Sequence, residues 1–78
     1  MPNQQLIQDI RDAANRLLDA TDARDVDGDE LAAAVGHDQN AKGAAFYNAC
    51  QELDGTGGLH FQFGGGMNVG SVSRQSFR

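Results

Sequence analysis

The spacing of apolar residues changes once along this 78-residue chain, from a helical period to a strand period, and the change falls at Gly55–Gly58. Before the glycines, apolar residues recur three and four positions apart. After them, Leu59, Phe61 and Phe63 alternate with polar residues. The first spacing places apolar side chains on one stripe of a helix, and the second on one face of a strand. The chain is therefore predicted to be one domain, residues 1–78, with a helical part followed by a β-hairpin around a small core.

Three helices are predicted before the glycines, at about 3–21, 28–35 and 41–53. The first has the longest apolar stripe, which comprises Leu6, Ile7, Ile10, Ala14, Leu17, Leu18 and Thr21. The third is predicted to bury Phe46, Ala49, Cys50 and Leu53. Such amphipathic helices bury one face each, so we expect all three to share one core.

The second helix has start and stop signals. Asp27 can cap its first turn, and Glu30 is spaced to complete a capping box. Gly36 suits the left-handed conformation that often follows a helix end. The inward side chains are predicted to be Leu31, Ala34 and Val35.

The hairpin is predicted at about 58–74, with Gly64–Gly66 as its turn. Val69 and Val72 lie on the returning strand but have opposite parity, so both can face the core only if one residue bulges out. We therefore expect a β-bulge near Gly70.

This order of elements resembles the winged helix-turn-helix superfamily over essentially the whole chain. The resemblance is carried by the segment Asp27–Gly36 (DGDELAAAVG) and by the passage from Ala49–Leu53 into Gly57-Gly58-Leu59. It implies an α+β fold with three helices followed by a two-stranded β-hairpin wing. Many members also have a strand of one or two residues beside the wing, at the position of Val26.

The resemblance also implies DNA binding and transcription regulation, with the third helix in the major groove and the wing on the backbone. Asn and Gln can pair with adenine, Ala can meet a thymine methyl group, and Tyr, Lys and Arg can reach phosphates. The basic C-terminal end would then clamp the backbone. The residues predicted to contact DNA or a partner are Asn40, Lys42, Ala44, Tyr47, Asn48, Gln51, Arg74 and Arg78.

The distribution of charge makes a protein partner the alternative to DNA. Residues 1–39 carry nine acids against three bases, while residues 40–78 carry two acids against three bases. Acidic residues are thus few in the half that would bind DNA. The outward face of the third helix, however, has no cation. Low charge with tyrosine is typical of protein interfaces. We therefore weigh a protein-interaction domain without DNA binding against DNA binding that requires a homodimer or a partner protein, because three cations give few phosphate contacts.

No catalytic or metal-ligating pattern is found, so a non-enzymatic protein without cofactor or metal is predicted. The acids at 25–30 do not fit a calcium loop, since Ala23 and Ala34 stand where carboxylates are needed. His37 and His60 match no acid or cysteine at triad or ligand spacing. The lone Cys50 falls on a core stripe. One cysteine, no signal peptide and no apolar run of roughly 20 residues predict a cytoplasmic location away from membranes.

Overall fold

In the computed structural model, which describes residues 4–20, 25–37 and 45–74, three helices and three strands follow one another. In chain order they are α1 (Gln4–Ala20), β1 (Asp25–Asp27), α2 (Gly28–Ala34), α3 (Ala45–Leu53), β2 (Leu59–Gly64) and β3 (Asn68–Arg74). The predicted α+β class with three helices is confirmed. Residues 41–44, the predicted start of the third helix, lie outside the described residues.

The sheet contains three strands, so the predicted count of two was wrong, although β2 and β3 do form the predicted hairpin. β3 pairs antiparallel with β2 on one edge and with β1 on the other, which gives the order β1-β3-β2. In β1, Val26 lies opposite Val72 and is buried, while Asp25 and Asp27 are exposed. One apolar residue between two acids is too short a pattern to show strand alternation. Only the family resemblance indicated a strand at Val26.

The predicted bulge near Gly70 is confirmed. Gln62 pairs with Ser71 but Phe63 pairs with Val69, so Gly70 is the extra residue on β3. Both Val69 and Val72 are consequently buried, at 2% and 0% exposure. A Cβ atom at residue 70 would lie 3.4 Å from the carbonyl oxygen of Gln62, which favours glycine where the two backbones approach.

α1 supplies the largest share of the helical core and packs against both α2 and α3. Its buried stripe contains Leu6, Ile10, Ala13, Ala14 and Leu18. On the opposite face, Gln5 and Gln8 donate to Asp9 and Asp12 one turn later, at 2.9 and 3.1 Å. Among the described residues, no helix is long and apolar enough to cross a membrane.

α2 begins at the predicted residue, ends at Ala34, one residue before the predicted end, and differs from the prediction in one inward residue. The Asp27 side chain accepts a hydrogen bond from the Asp29 backbone at 3.2 Å, and Gly36 has a φ of +75°. Leu31 is buried as predicted and Val35 is half-buried, whereas Ala34 is exposed. The buried alanine is Ala32 instead, because α2 packs against both α1 and β3 and its buried stripe contains Gly28, Leu31 and Ala32.

Candidate functional site

The structure describes four of the eight residues predicted to contact DNA or a partner: Tyr47, Asn48, Gln51 and Arg74. The other four, Asn40, Lys42, Ala44 and Arg78, lie outside the described residues.

α3 has the orientation that its sequence predicts. Its apolar side chains Phe46, Ala49, Cys50 and Leu53 are all buried. Because a helix turns about 100° per residue, the residues between them lie on the other side. Asn48, Gln51 and Glu52 are exposed there, and Tyr47 is half-buried. We call the three predicted contact residues on this side, Tyr47, Asn48 and Gln51, the α3 face.

Tyr47 is half-buried because it packs on the hairpin. Its ring meets the ring of Phe63 edge to face, with centroids 5.3 Å apart and an interplanar angle of 73°. This is a favourable geometry for two aromatic quadrupoles. Phe63 in turn lies alongside Phe61, with centroids 6.3 Å apart. The hairpin therefore supports the α3 face directly, a contact that strand alternation alone did not assign to Phe63.

The hydroxyl oxygen of Tyr47 accepts a hydrogen bond from Nε2 of Gln51 at 3.3 Å. The two residues are four apart on α3 and so lie one turn apart on the same side. Asn48 has no side-chain hydrogen-bond partner within residues 4–20, 25–37 and 45–74. The α3 face thus presents two carboxamides, of which the one at Gln51 contacts the Tyr47 hydroxyl.

Arg74 does not lie on the α3 face. It pairs with Leu59 at the end of the hairpin away from the Gly64–Asn68 turn. Its guanidinium forms an ion pair with Asp19 and donates to Oδ1 of Asn15 at 2.8 Å. Nδ2 of Asn15 donates to the carbonyl oxygen of Arg11 at 3.0 Å, which fixes the amide so that its oxygen faces Arg74. Arg74 therefore ties the end of β3 to α1.

Asn15 and Asp19 were not predicted to pair with Arg74. The contacts join residues 59 and 55 positions apart. Residues four apart on one helix face are readable from sequence, but a partner on a distant strand is not. Nothing in the local pattern could have identified this contact.

The surface formed by α3 and the hairpin carries little formal charge. Between Ala45 and Ser73 the sequence contains no Lys or Arg, and its only acids are Glu52 and Asp54. Since affinity for nucleic acid comes largely from cations on phosphates, the described part of this surface offers hydrogen-bonding groups without electrostatic attraction.

His60 has an acidic neighbour that the sequence spacing did not indicate. Its Nδ1 lies 3.8 Å from Oδ1 of Asp54. The same carboxylate oxygen accepts the backbone N–H of Phe61 at 2.9 Å. Thr56 completes the corner by donating its hydroxyl to the carbonyl of Leu53 at 2.6 Å. Asp54 therefore fastens the start of β2 to the end of α3.

Cys50 has no access to solvent, with 0% exposure. Desolvation by burial raises the pKa of its thiol from 9.0 to about 12. Because the thiolate is the nucleophile and the metal ligand, a thiol with this pKa is unreactive near neutral pH. Among the described residues, no three side chains of His, Cys, Asp or Glu are grouped so that they could hold a metal ion.

Comparison with known proteins identifies no relative of the chain. No protein-family model, no curated protein and no solved structure matches the chain. The basis for a function is therefore the chemistry of the α3 face and its position beside the hairpin.

Proposed function

We propose that the chain is a winged-helix module without enzymatic activity that binds duplex DNA through α3 and the hairpin. The element order α1–β1–α2–α3–β2–β3 and the strand order β1-β3-β2 support this arrangement, in which a helix pair precedes an antiparallel wing. In such proteins the second helix of the pair enters the major groove.

The observation that carries the proposal is the composition of the α3 face. It presents two carboxamides and a phenol, at Asn48, Gln51 and Tyr47, on the exposed side of a helix whose other side is fully buried. A carboxamide offers a donor and an acceptor together, which matches the edge of adenine in the major groove. The face can thus form hydrogen bonds with base edges, but it has no cation to attract phosphates.

A single copy is expected to bind weakly. Lys42 and Arg78 are the cations of the second half that remain for phosphate contact, because Arg74 is paired with Asp19. Two phosphate contacts give a slope of log affinity against log salt of about −2. A second copy or a partner protein would have to supply the further cations that tight binding at physiological salt requires.

An NMR titration of the ¹⁵N-labelled chain with random-sequence duplex DNA at low salt tests the proposal. Chemical-shift changes should be confined to residues 40–51 and 60–78. Replacing Lys42 and Arg78 with Ala should weaken binding and flatten the salt slope, while Arg11→Ala, on α1, should change neither by more than about twofold. No shift in those two segments at the highest DNA concentration would contradict DNA binding.

The second candidate is a protein-docking module. It is favoured by the absence of Lys and Arg between residues 45 and 73, and by an exposed apolar side chain on the hairpin turn, Met67, at 54% exposure. Interfaces are enriched in Tyr and Met and depleted in charge. An absence of chemical-shift changes in the DNA titration would favour this candidate. Once a partner protein is identified, Tyr47→Ala combined with Gln51→Ala should weaken the binding of that partner.

A further inference from the structure

We propose that a cleft between α1 and α2 binds a second copy of this chain, and that Arg16 of each copy lies between Asp9 and Asp12 of the other in a symmetric dimer. The dimer goes beyond the proposed DNA binding and does not depend on it, because no residue of the α3 face lines the cleft.

The cleft has a volume of about 330 Å³. It is lined by Asp9, Asp12, Ala13 and Arg16 of α1 and by Ala34 and Val35 at the end of α2. Ala34 is exposed and Val35 only half-buried, although the sequence predicted both to face the core. The cleft therefore has an apolar side that its own chain leaves accessible, next to a row of charged side chains.

The charged row runs along one side of α1. Asp9, Asp12 and Arg16 are three and four residues apart, so they follow one another on the same helix face, and all three are exposed. Asp9 and Asp12 each accept a hydrogen bond from a glutamine one turn earlier, at 2.9 and 3.1 Å. Within residues 4–20, 25–37 and 45–74, none of the three forms an ion pair. The row thus has an acidic end and a basic end, and neither is neutralised by the described part of the chain.

A row of this kind is complementary to itself. A twofold axis makes α1 of the second copy antiparallel, so the acidic end of one row faces the basic end of the other. If the axis passes beside Ala13, Arg16 lies three residues to one side of it and its symmetry mate three residues to the other side, between Asp9 and Asp12. A guanidinium has five N–H donors in a fixed planar fork and can bind two carboxylates at once.

The net charge of the chain favours this surface over others for self-association. Two copies with a formal charge of −5 each repel one another, unless acid meets base where they touch. In the cleft each Arg16 meets two carboxylates of the other copy, and the twofold axis makes this contact twice. The small side chain of Ala13, at the centre of the row, allows the two helices to approach closely.

Sedimentation velocity of the full chain without DNA tests the dimer. Samples from about 10 μM to about 1 mM cover the range of weak association. The wild type should change from monomer to dimer over this range at about 0.15 M salt, and the dimer should weaken at about 1 M salt, where exposed charges are screened.

Charge variants locate the contact. Asp9→Lys combined with Asp12→Lys makes the row entirely basic, and Arg16→Glu makes it entirely acidic. Each of these two chains should self-associate at least about tenfold more weakly than the wild type, because like charges then meet across the axis. An equimolar mixture of the two should recover the dimer, since every cation of one chain faces a carboxylate of the other. A chain with all three substitutions inverts the row and should dimerise as the wild type does.

Arg11→Glu is the matched control. It makes the same charge change as Arg16→Glu but on another side of α1, so the dissociation constant should change by no more than about twofold. Equal thermal melting curves establish that the variants are folded, and recovery in the mixture and in the inverted chain shows the same independently.

A wild type that stays monomeric at about 1 mM would overturn the dimer, since weak association is detectable there. A wild-type dimer whose two opposite variants do not associate when mixed would place the contact on another surface. An equal loss for Arg11→Glu and Arg16→Glu would make net charge, and not the cleft, responsible. Because DNA is absent throughout, none of these results bears on DNA binding, and failure of the DNA titration would leave the dimer unaffected.

Discussion

Cys50 shows how burial controls the chemistry of a single residue. The thiol is enclosed by the core and its pKa is raised from 9.0 to about 12, so it stays protonated in the folded chain. In the unfolded chain it ionises near its ordinary pKa. Between these two pKa values the unfolded state therefore binds fewer protons, and stability must fall as pH rises.

We expect this residue to lower the free energy of unfolding by about 2 to 3 kcal/mol between pH 8 and pH 11, from a pKa shift of this direction and size. Urea denaturation at a series of pH values measures the effect. In Cys50→Ala the loss over this range should be smaller by that amount, although the variant starts from lower stability because it leaves a small cavity. Equal slopes for the two proteins would mean that the thiol ionises normally in the fold.

Arg74 and Asp19 allow a second measurement at this scale. Their side chains are 45% and 72% exposed, so water screens the ion pair and the expected coupling is at most about 1 kcal/mol. A double-mutant cycle with Arg74→Ala and Asp19→Asn should give a coupling of that size, reduced at 1 M salt. Asp12→Asn makes the same charge change on α1, at a carboxylate that accepts from Gln8. Comparable coupling of Asp12 with Arg74 would show that net charge, and not the contact, is responsible.

At the scale of elements, helix ends depend on backbone conformation more than on contacts. Gly36 follows α2 with a φ of +75°, and no atom would touch a Cβ there. Gly36→Ala should still destabilise the fold by about 1 kcal/mol, because a side chain is strained at positive φ. Gly65→Ala is the matched control, since Gly65 has equal space and no positive φ. Thermal unfolding of both variants checks the difference, and equal melting temperatures would refute it.

The elements that the sequence predicted are those with enough apolar residues to define a period. α3 buries the stripe expected of it, and α1 buries most of its expected stripe, with Ile7 and Leu17 half-buried and Ala13 buried in addition. The opposite parity of Val69 and Val72 located the bulge at Gly70. β1 contains a single apolar residue and has no period of its own. Its pairing depends on the free edge of β3, which no local pattern describes.

The candidate site was predictable only in part, for the same reason. The helical period placed Asn48 and Gln51 on the exposed side of α3. Two long-range contacts complete the site. Phe63 holds the ring of Tyr47 on the α3 face, and Asp19 holds Arg74 away from that face. Such pairs depend on how elements pack, which the spacing within each element does not specify.

For the whole molecule, β3 is the strand that joins the parts. It pairs with β1 and β2, packs against α2, and ends on α1 through Arg74. A chain that ends at Gly66 should therefore lose both strand pairings together and unfold. Circular dichroism of this truncation beside the full chain tests the prediction. If the chain that ends at Gly66 is helical and melts cooperatively, the helices fold without the sheet.

The central position of β3 also determines when the chain can fold during its synthesis. β3 is the last of the described elements to leave the ribosome, yet β1 and β2 pair with nothing else in the sheet. The sheet therefore cannot form until β3 emerges, and the apolar surface that β3 covers on the three helices stays exposed until then. Resistance of the nascent chain to protease should appear in one step, only after residue 74 has emerged, and this delay is the interval in which a chaperone would act on the protein.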